Sequence, residues 1–220
     1  MEYNYPALQT VELKGKRFYQ INDETFYPSI TTVLGTTQAS EKVQALEGWR
    51  NWLGKDKAAA ETKRAADRGT QVHLMIEQFL KKEPINAPLA TTVDMQMFNS
   101  IKLKLRAINK IYGQEVALYS DMLGVAGRCD FIGEYENVPV VADWKTSTNL
   151  KSNERVEDYF IQATFYAIAH NEMFGTNIEN IVIFVAVEKG FPQVFKRKIT
   201  PELVDQLMDR TEKFYKELLK

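Results

Sequence analysis

The stretch GRCDFIGEYENVPVVADWKTS, residues 127–147, decides the fold. It reads as two strands that meet at a turn marked by Asn137-Val138-Pro139. The second run, VPVVADWKT, is deeply apolar until it ends in Asp143, Trp144 and Lys145; an aspartate, Asp130, interrupts the first. A buried strand has no use for carboxylates and an ammonium unless they are paired or hold something charged. Asp130 and Asp143 stand about equidistant from the turn, so they can face each other across an antiparallel ladder. Two carboxylates that close repel unless a divalent cation lies between them. Lys145, two residues past Asp143, emerges from the same strand face.

Outward from this stretch the pattern is regular. QEVALYS (114–120), GVAGRCDFIGEYE (124–136) and VPVVADWKT (138–146) are three consecutive strands, followed by an amphipathic helix over 154–173 that ends near Gly175. IENIVIFVAVE (178–188) and FPQVFKRKI (191–199) are further strands, and a last helix starts at Pro201. An antiparallel meander followed by a crossover helix implies a mixed sheet with helices on it, an α/β fold with α+β character. Upstream, residues 9–30 form a small hairpin with turns at Lys14-Gly15-Lys16 and Asn22-Asp23, and Ser29 caps a short helix over ITTVL. Helices are expected over 41–54, over the Ala-rich 55–82, and over 92–112, where Gly113 stops the last. The 220 residues suit one domain: a hairpin and helical extension over 1–68, a core over 69–200 and a terminal helix over 201–220.

Composition is ordinary, 45% hydrophobic and 26% charged, and the net charge of −1 leaves room only for a local basic groove toward nucleic acid. One cysteine, Cys129, excludes a disulfide framework or an all-cysteine cluster within the chain and points to a cytoplasmic setting. The first residues lack the order of a signal peptide, and the longest apolar run, 181–187, is too short to span a bilayer, so no membrane partner is expected. A cation and an ammonium beside paired carboxylates suit phosphodiester hydrolysis. The cation neutralises phosphate oxygens and lowers the pKa of a bound water, and the lysine orients that water or stabilises developing charge. On its own, Asp-x-Lys more often marks a structural ion pair at a sheet end.

Other residues bear on that choice. His73 lies four residues after Gly69 on one helix face, and a glycine there costs about 1 kcal/mol relative to Ala, which suggests a close helix approach to another backbone. Gln162 and Tyr166 stand at i and i+4 on the helix after the Asp-Trp-Lys strand. Together, Gly69-Thr70-Gln71-Val72-His73, Gly127-Arg128-Cys129-Asp130, Asp143-Trp144-Lys145 and Gln162 to Tyr166 resemble, in order and spacing, the motifs of RecB-type nucleases of the PD-(D/E)XK superfamily. YPSITTVL is similar to a stretch near the start of mitochondrial genome maintenance exonucleases and their phage counterparts, a subgroup of compact exonucleases preferring single strands; the small form hints at a phage-encoded chain. The resemblance implies a PD-(D/E)XK core. It implies Asp130, Asp143 and Lys145 as catalytic residues, and Mg²⁺ or Mn²⁺ held by His73, Asp130, Asp143 and the Trp144 carbonyl. Glu115 would be a further acidic position. Gln162, Tyr166 and Thr146 would brace the site or touch DNA. Some relatives carry an iron–sulfur cluster, which a single cysteine cannot build.

Lys55, Lys57, Lys63, Arg64 and Arg68 precede His73 on its helix, either as a basic ramp for phosphates or as a solvated face balanced by Asp56, Glu61 and Asp67. Ser29 and Thr31 could bond phosphates, although a helix cap explains Ser29. Trp49, Trp52, Phe18 and Tyr19 could stack on bases, although helical spacing favours core packing for the tryptophans. The segments before residue 69 would form an arch, as the resemblance suggests. The expected activity is a metal-dependent DNA exonuclease; the alternatives are a flap-type endonuclease on the same core and an inactive nucleic-acid-binding module.

Overall fold

The structure, a computed structural model, describes residues 3–220. β1 (Gln9–Leu13), β2 (Lys16–Gln20) and β3 (Phe26–Pro28) form a small antiparallel sheet. Lys14 and Gly15 both sit at positive φ, 51° and 70°, in the mirror-image turn that matches hairpin twist. Asn22 closes the second turn by accepting the N–H groups of Glu24 and Thr25. There follow α1 (Ile30–Thr36), α2 (Ser40–Leu53), α3 (Lys55–Leu80) and α4 (Thr92–Leu105). The main sheet is built from β4 (Ile108–Ser120), β5 (Val125–Tyr135), β6 (Val138–Ser147), β7 (Asn180–Val187) and β8 (Gln193–Lys198), in that spatial order. α5 (Glu157–Phe174) crosses over between β6 and β7, which pair in parallel, and α6 (Pro201–Leu218) follows β8. The expected mixed sheet flanked by helices is the architecture the chain adopts.

The sheet is apolar on both faces because helices cover both. Val72, Met75 and Ile76 of α3 and Met97, Phe98 and Ile101 of α4 pack on Phe131, Trp144 and Phe184. On the other face, Ile30, Phe160, Phe165, Tyr166, Leu207 and Phe214 cover Val141, Ile183 and Val185. Cys129 is fully buried and free, as a strand neighbour of Asp130 should be.

Four expectations need correction. The helix over 92–112 ends at Leu105, and residues 108–112 are strand: Ile108, Lys110 and Ile111 pair with Tyr135, Glu134 and Gly133. The helical spacing of Ile101, Leu105 and Ile108 misleads there, because Ile and Tyr also favour strands. The turn between β5 and β6 is made by Glu136 and Asn137, both at positive φ, while Val138 and Pro139 already pair with Tyr135 and Glu134. Gly69 makes no close approach; a Cβ there would meet the Thr146 hydroxyl at an ordinary 3.8 Å. Trp49 and Trp52 are not core: α2 has no buried residue, and Trp52 is 81% exposed. Phe18 and Tyr19, by contrast, are buried.

The β4 extension carries bulges at Asn109 and Tyr112, opposite Gly133, where a Cβ would lie 2.2 Å from the Lys110 carbonyl oxygen and 2.5 Å from Phe131. Gly133→Ala should destabilise the protein by about 1–3 kcal/mol or more, read as a lowered urea midpoint; an unchanged midpoint would contradict the bulged pairing.

Candidate functional site

Register brings three carboxylates into one row. Gln114 pairs with Phe131 and Val116 with Cys129, so Glu115 of β4 stands opposite Asp130 of β5. Phe131 and Ala142 form the last rung between β5 and β6, which leaves Asp130 and Asp143 opposite each other one residue beyond it. The strands part there. The Trp144 N–H, no longer needed by a ladder, donates to Asp130 Oδ2 at 2.8 Å and holds that carboxylate at the sheet end. Glu115 takes φ +52°, a left-handed conformation that is uncommon and strained for a residue with a Cβ; such strain gathers at functional sites.

α3 delivers His73 to this row, with Nδ1 3.7 Å from Asp130 Oδ2. One ligand atom each from His73, Glu115 and Asp130 lie within 4.8 Å of one another. Asp143 is almost wholly buried and pairs with the Lys145 ammonium, yet neither of its oxygens accepts a hydrogen bond of good geometry. The ammonium also lies 5.2 Å from the ring centre of Tyr159. Burial pushes Glu115 up to about 7, with the charge of Asp130 adding to the effect. Burial likewise raises Asp143 above the usual carboxylate range, against the pull of Lys145. For Lys145, burial works to lower the pKa, but Asp143 and Asp130 outweigh it and hold the ammonium protonated. Three crowded carboxylates, a histidine and buried oxygens with spare acceptor capacity fit a divalent cation. Glu115 stands with His73 and Asp130 in the tightest group, whereas Asp143 is turned toward Lys145.

The remaining expected residues divide. Gln162 Nε2 donates to the Tyr166 hydroxyl at 3.1 Å, and the Tyr166 ring lies across β5 at Gly127, where a Cβ would meet it at 2.8 Å. This contact explains why a glycine precedes Asp130 by three residues. Thr146 faces α3 beside Gly69. Ser29 caps α1, its hydroxyl accepting the Thr32 N–H, and Thr31 accepts a bond from Arg17 at 2.7 Å. Arg64 and Arg68 do not form a free basic ramp: both pair with Glu188, and Arg68 is buried. Glu188 lies more than a hundred residues downstream, which is why the helix alone could not show the pairing.

Arg17, Glu77 and Tyr159 escaped the sequence reading, whereas Glu115, Thr31, Gln162 and His73 did not. Arg128 and Glu115 are shared by two clefts of about 400 and 540 Å³, which continue past them on either side. Arg17, Thr31 and Gln162 line the first; Thr70, His73 and Glu77 line the second. Tyr159 was detectable, because with Gln162 and Tyr166 it sits at helical spacing on one face of α5. Arg17 was not, because only the small sheet brings it to the cleft.

No protein-family model matches the chain. It is similar to the mitochondrial genome maintenance exonuclease 1 of Xenopus tropicalis, with 29% identity over 180 residues covering 75% of this chain and 50% of that protein. The chain thus spans about half the length of the curated relative it matches. Solved structures that resemble it include a protein of Eubacterium rectale described as an exonuclease, at 16% identity and TM-score 0.49, covering 70% of this chain and 66% of that one. A phage-related exonuclease from Haemophilus somnus matches at 12% identity and TM-score 0.40, covering 87% and 94% respectively.

Because the Glu115 pKa is raised in the fold, its ionised form opposes folding, and stability falls as pH rises through about 7. Glu115→Gln should therefore raise the melting temperature at pH 8 without divalent ions, by about 2–4 °C for about 1 kcal/mol, and the gain should shrink toward pH 5. A variant no more stable than the wild type at pH 8 would contradict the reading of Glu115 as a strained member of the row.

Proposed function

We propose that the chain is a divalent-metal-dependent DNA exonuclease that hydrolyses phosphodiesters and prefers single strands entered from a free end. The observation that carries this reading is the row Glu115–Asp130–Asp143 with His73 at one side and Lys145 at the other. The similarity to a protein named as an exonuclease supports it.

His73, Glu115, Asp130 and Asp143 would hold Mg²⁺ or Mn²⁺, with the Trp144 carbonyl close by. Such a cation supplies neutralisation of phosphate charge and a lowered pKa for a water it binds. Lys145 stays protonated beside Asp143, so it acts as a hydrogen-bond donor to an anionic oxygen and not as a general base. The Tyr159 ring and Asp143 fix where its ammonium points. Gln162, bonded to Tyr166, and the Arg17–Thr31 pair face the first cleft, where strand phosphates would pass. We read residues 69–200 as the catalytic core, residues 201–220 as a supporting helix, and the hairpin and helices of 1–68 as an arch; the exposed Trp52 on α2 suits base stacking there. A free, buried cysteine and no helix among the described residues long and apolar enough to cross a membrane suit a cytoplasmic setting.

An end-labelled single-stranded oligonucleotide and its circular counterpart, each incubated with Mg²⁺, Mn²⁺ or chelator, test the proposal. Metal-dependent loss of the linear strand alone is expected; cutting of the circle would make the enzyme an endonuclease, and cutting in chelator would contradict metal dependence. Lys145→Ala should bind the oligonucleotide as the wild type does and lose cleavage by about 10²–10³-fold. Wild-type cleavage by that variant would remove Lys145 from the chemistry.

A further inference from the structure

The C-terminal end of β6 borders a second polar hollow, separate from the carboxylate row. It encloses about 300 Å³ among Arg68, Thr146, Thr148, Lys151 and Arg155. Three of these are cations. Arg68 is 4% exposed; one end of its guanidinium bonds Glu188 and Thr148, while its Nε is buried with no partner among the described residues. Lys151 and Arg155 have no ion-pair partner among the described residues, whereas Arg64, Arg68 and Lys145 nearby each have one. Burial and the neighbouring Arg155 lower the Lys151 pKa, as expected where like charges are gathered without a counter-ion. The half-buried Lys151 and the neighbouring Arg155 would be stabilised by an anion between them. Hydroxyls of two threonines beside three cations are the donors that a tetrahedral oxyanion requires.

We infer that this hollow is a phosphate-binding subsite that holds one phosphate of the nucleic acid strand away from the metal centre. Thr146 lies three residues beyond Asp143 on β6, a distance of about 10 Å at strand rise. That is the span of about three nucleotides at the rise of a DNA strand. The subsite thus lies along the path of a strand whose scissile phosphate is at Asp130 and Asp143. It also gives the paired Arg68 a purpose: Glu188 holds the guanidinium rigid at the wall of the hollow. The identity of the ligand as a strand phosphate rests on the nuclease reading; the affinity for phosphate does not. The phosphate could be internal or the terminal group of the end being entered.

The test uses the full chain in chelator, so that no cleavage occurs. Fluorescence anisotropy would measure binding of a single-stranded 12-mer at several salt concentrations, with a 5′-phosphate, a 3′-phosphate or neither. The doubly substituted Lys151→Ala/Arg155→Ala protein should bind more weakly, with a salt slope reduced by about 0.7, the value for one lost phosphate contact on a single strand. An equal-charge control on α6, Lys213→Ala/Lys216→Ala, should keep the wild-type slope. A loss with all three oligonucleotides would assign an internal phosphate; a loss confined to one phosphorylated end would assign a terminal one. Titration of inorganic phosphate, followed by ³¹P NMR line broadening, provides the independent arm: the wild type should broaden the line and the double variant should not. A protein that bound phosphate in this way but bound no oligonucleotide would keep the subsite and sink the nuclease reading. A double variant indistinguishable from wild type in both assays would overturn the subsite.

Discussion

Mutual repulsion of three carboxylates in one row of the sheet is the constraint on which the site depends. Glu115, Asp130 and Asp143 come from three neighbouring strands, and one ammonium answers them. Nothing in a merely structural sheet end would favour that arrangement. The surrounding fold holds it by several separate means. The Trp144 N–H pins Asp130, the left-handed backbone of Glu115 aims its carboxylate, and the buried Trp144 ring, packed against Phe131 and Phe184, fixes the end of β6. A divalent cation bound there would relieve the crowding of like charges, which would couple folding to metal affinity through the same residues.

The two faces of the sheet then divide the remaining work. α5 supplies Tyr159, Gln162 and Tyr166 from one face, and its packing over Gly127 ties the helix to the strand that carries Asp130. α3 supplies His73 from the other face, and Arg68 one turn and a residue earlier marks the polar hollow beyond β6. A strand lying along the clefts would meet donors before and after the carboxylates, with the negative centre between them.

Much of this was legible from the sequence where local periodicity governs. A strand repeat of two places Asp143 and Lys145 on one face, and the near-symmetry of Asp130 and Asp143 about the turn brings them together, although the turn itself is Glu136-Asn137. Glu115 was harder to weigh. Its strand was expected over 114–120, but its place opposite Asp130 rests on a register set by bulged pairing and on a backbone conformation no pattern announces. The pairing of Arg64 and Arg68 with Glu188 depends on a contact remote in sequence, so a basic helix face looked free when it was engaged. Trp52 shows the opposite case, an aromatic at core-like spacing that no neighbouring element covers.

The central claim is that the row holds a divalent cation, and thermal unfolding as a function of Mn²⁺ tests it most directly. A ligand that binds only the folded state at a hundred times its dissociation constant adds about 2.7 kcal/mol, or about 5–10 °C for a chain of this size. The wild type should show that rise and Asp130→Asn should lose most of it. Equal responses from the two proteins, or none from either, would contradict the account.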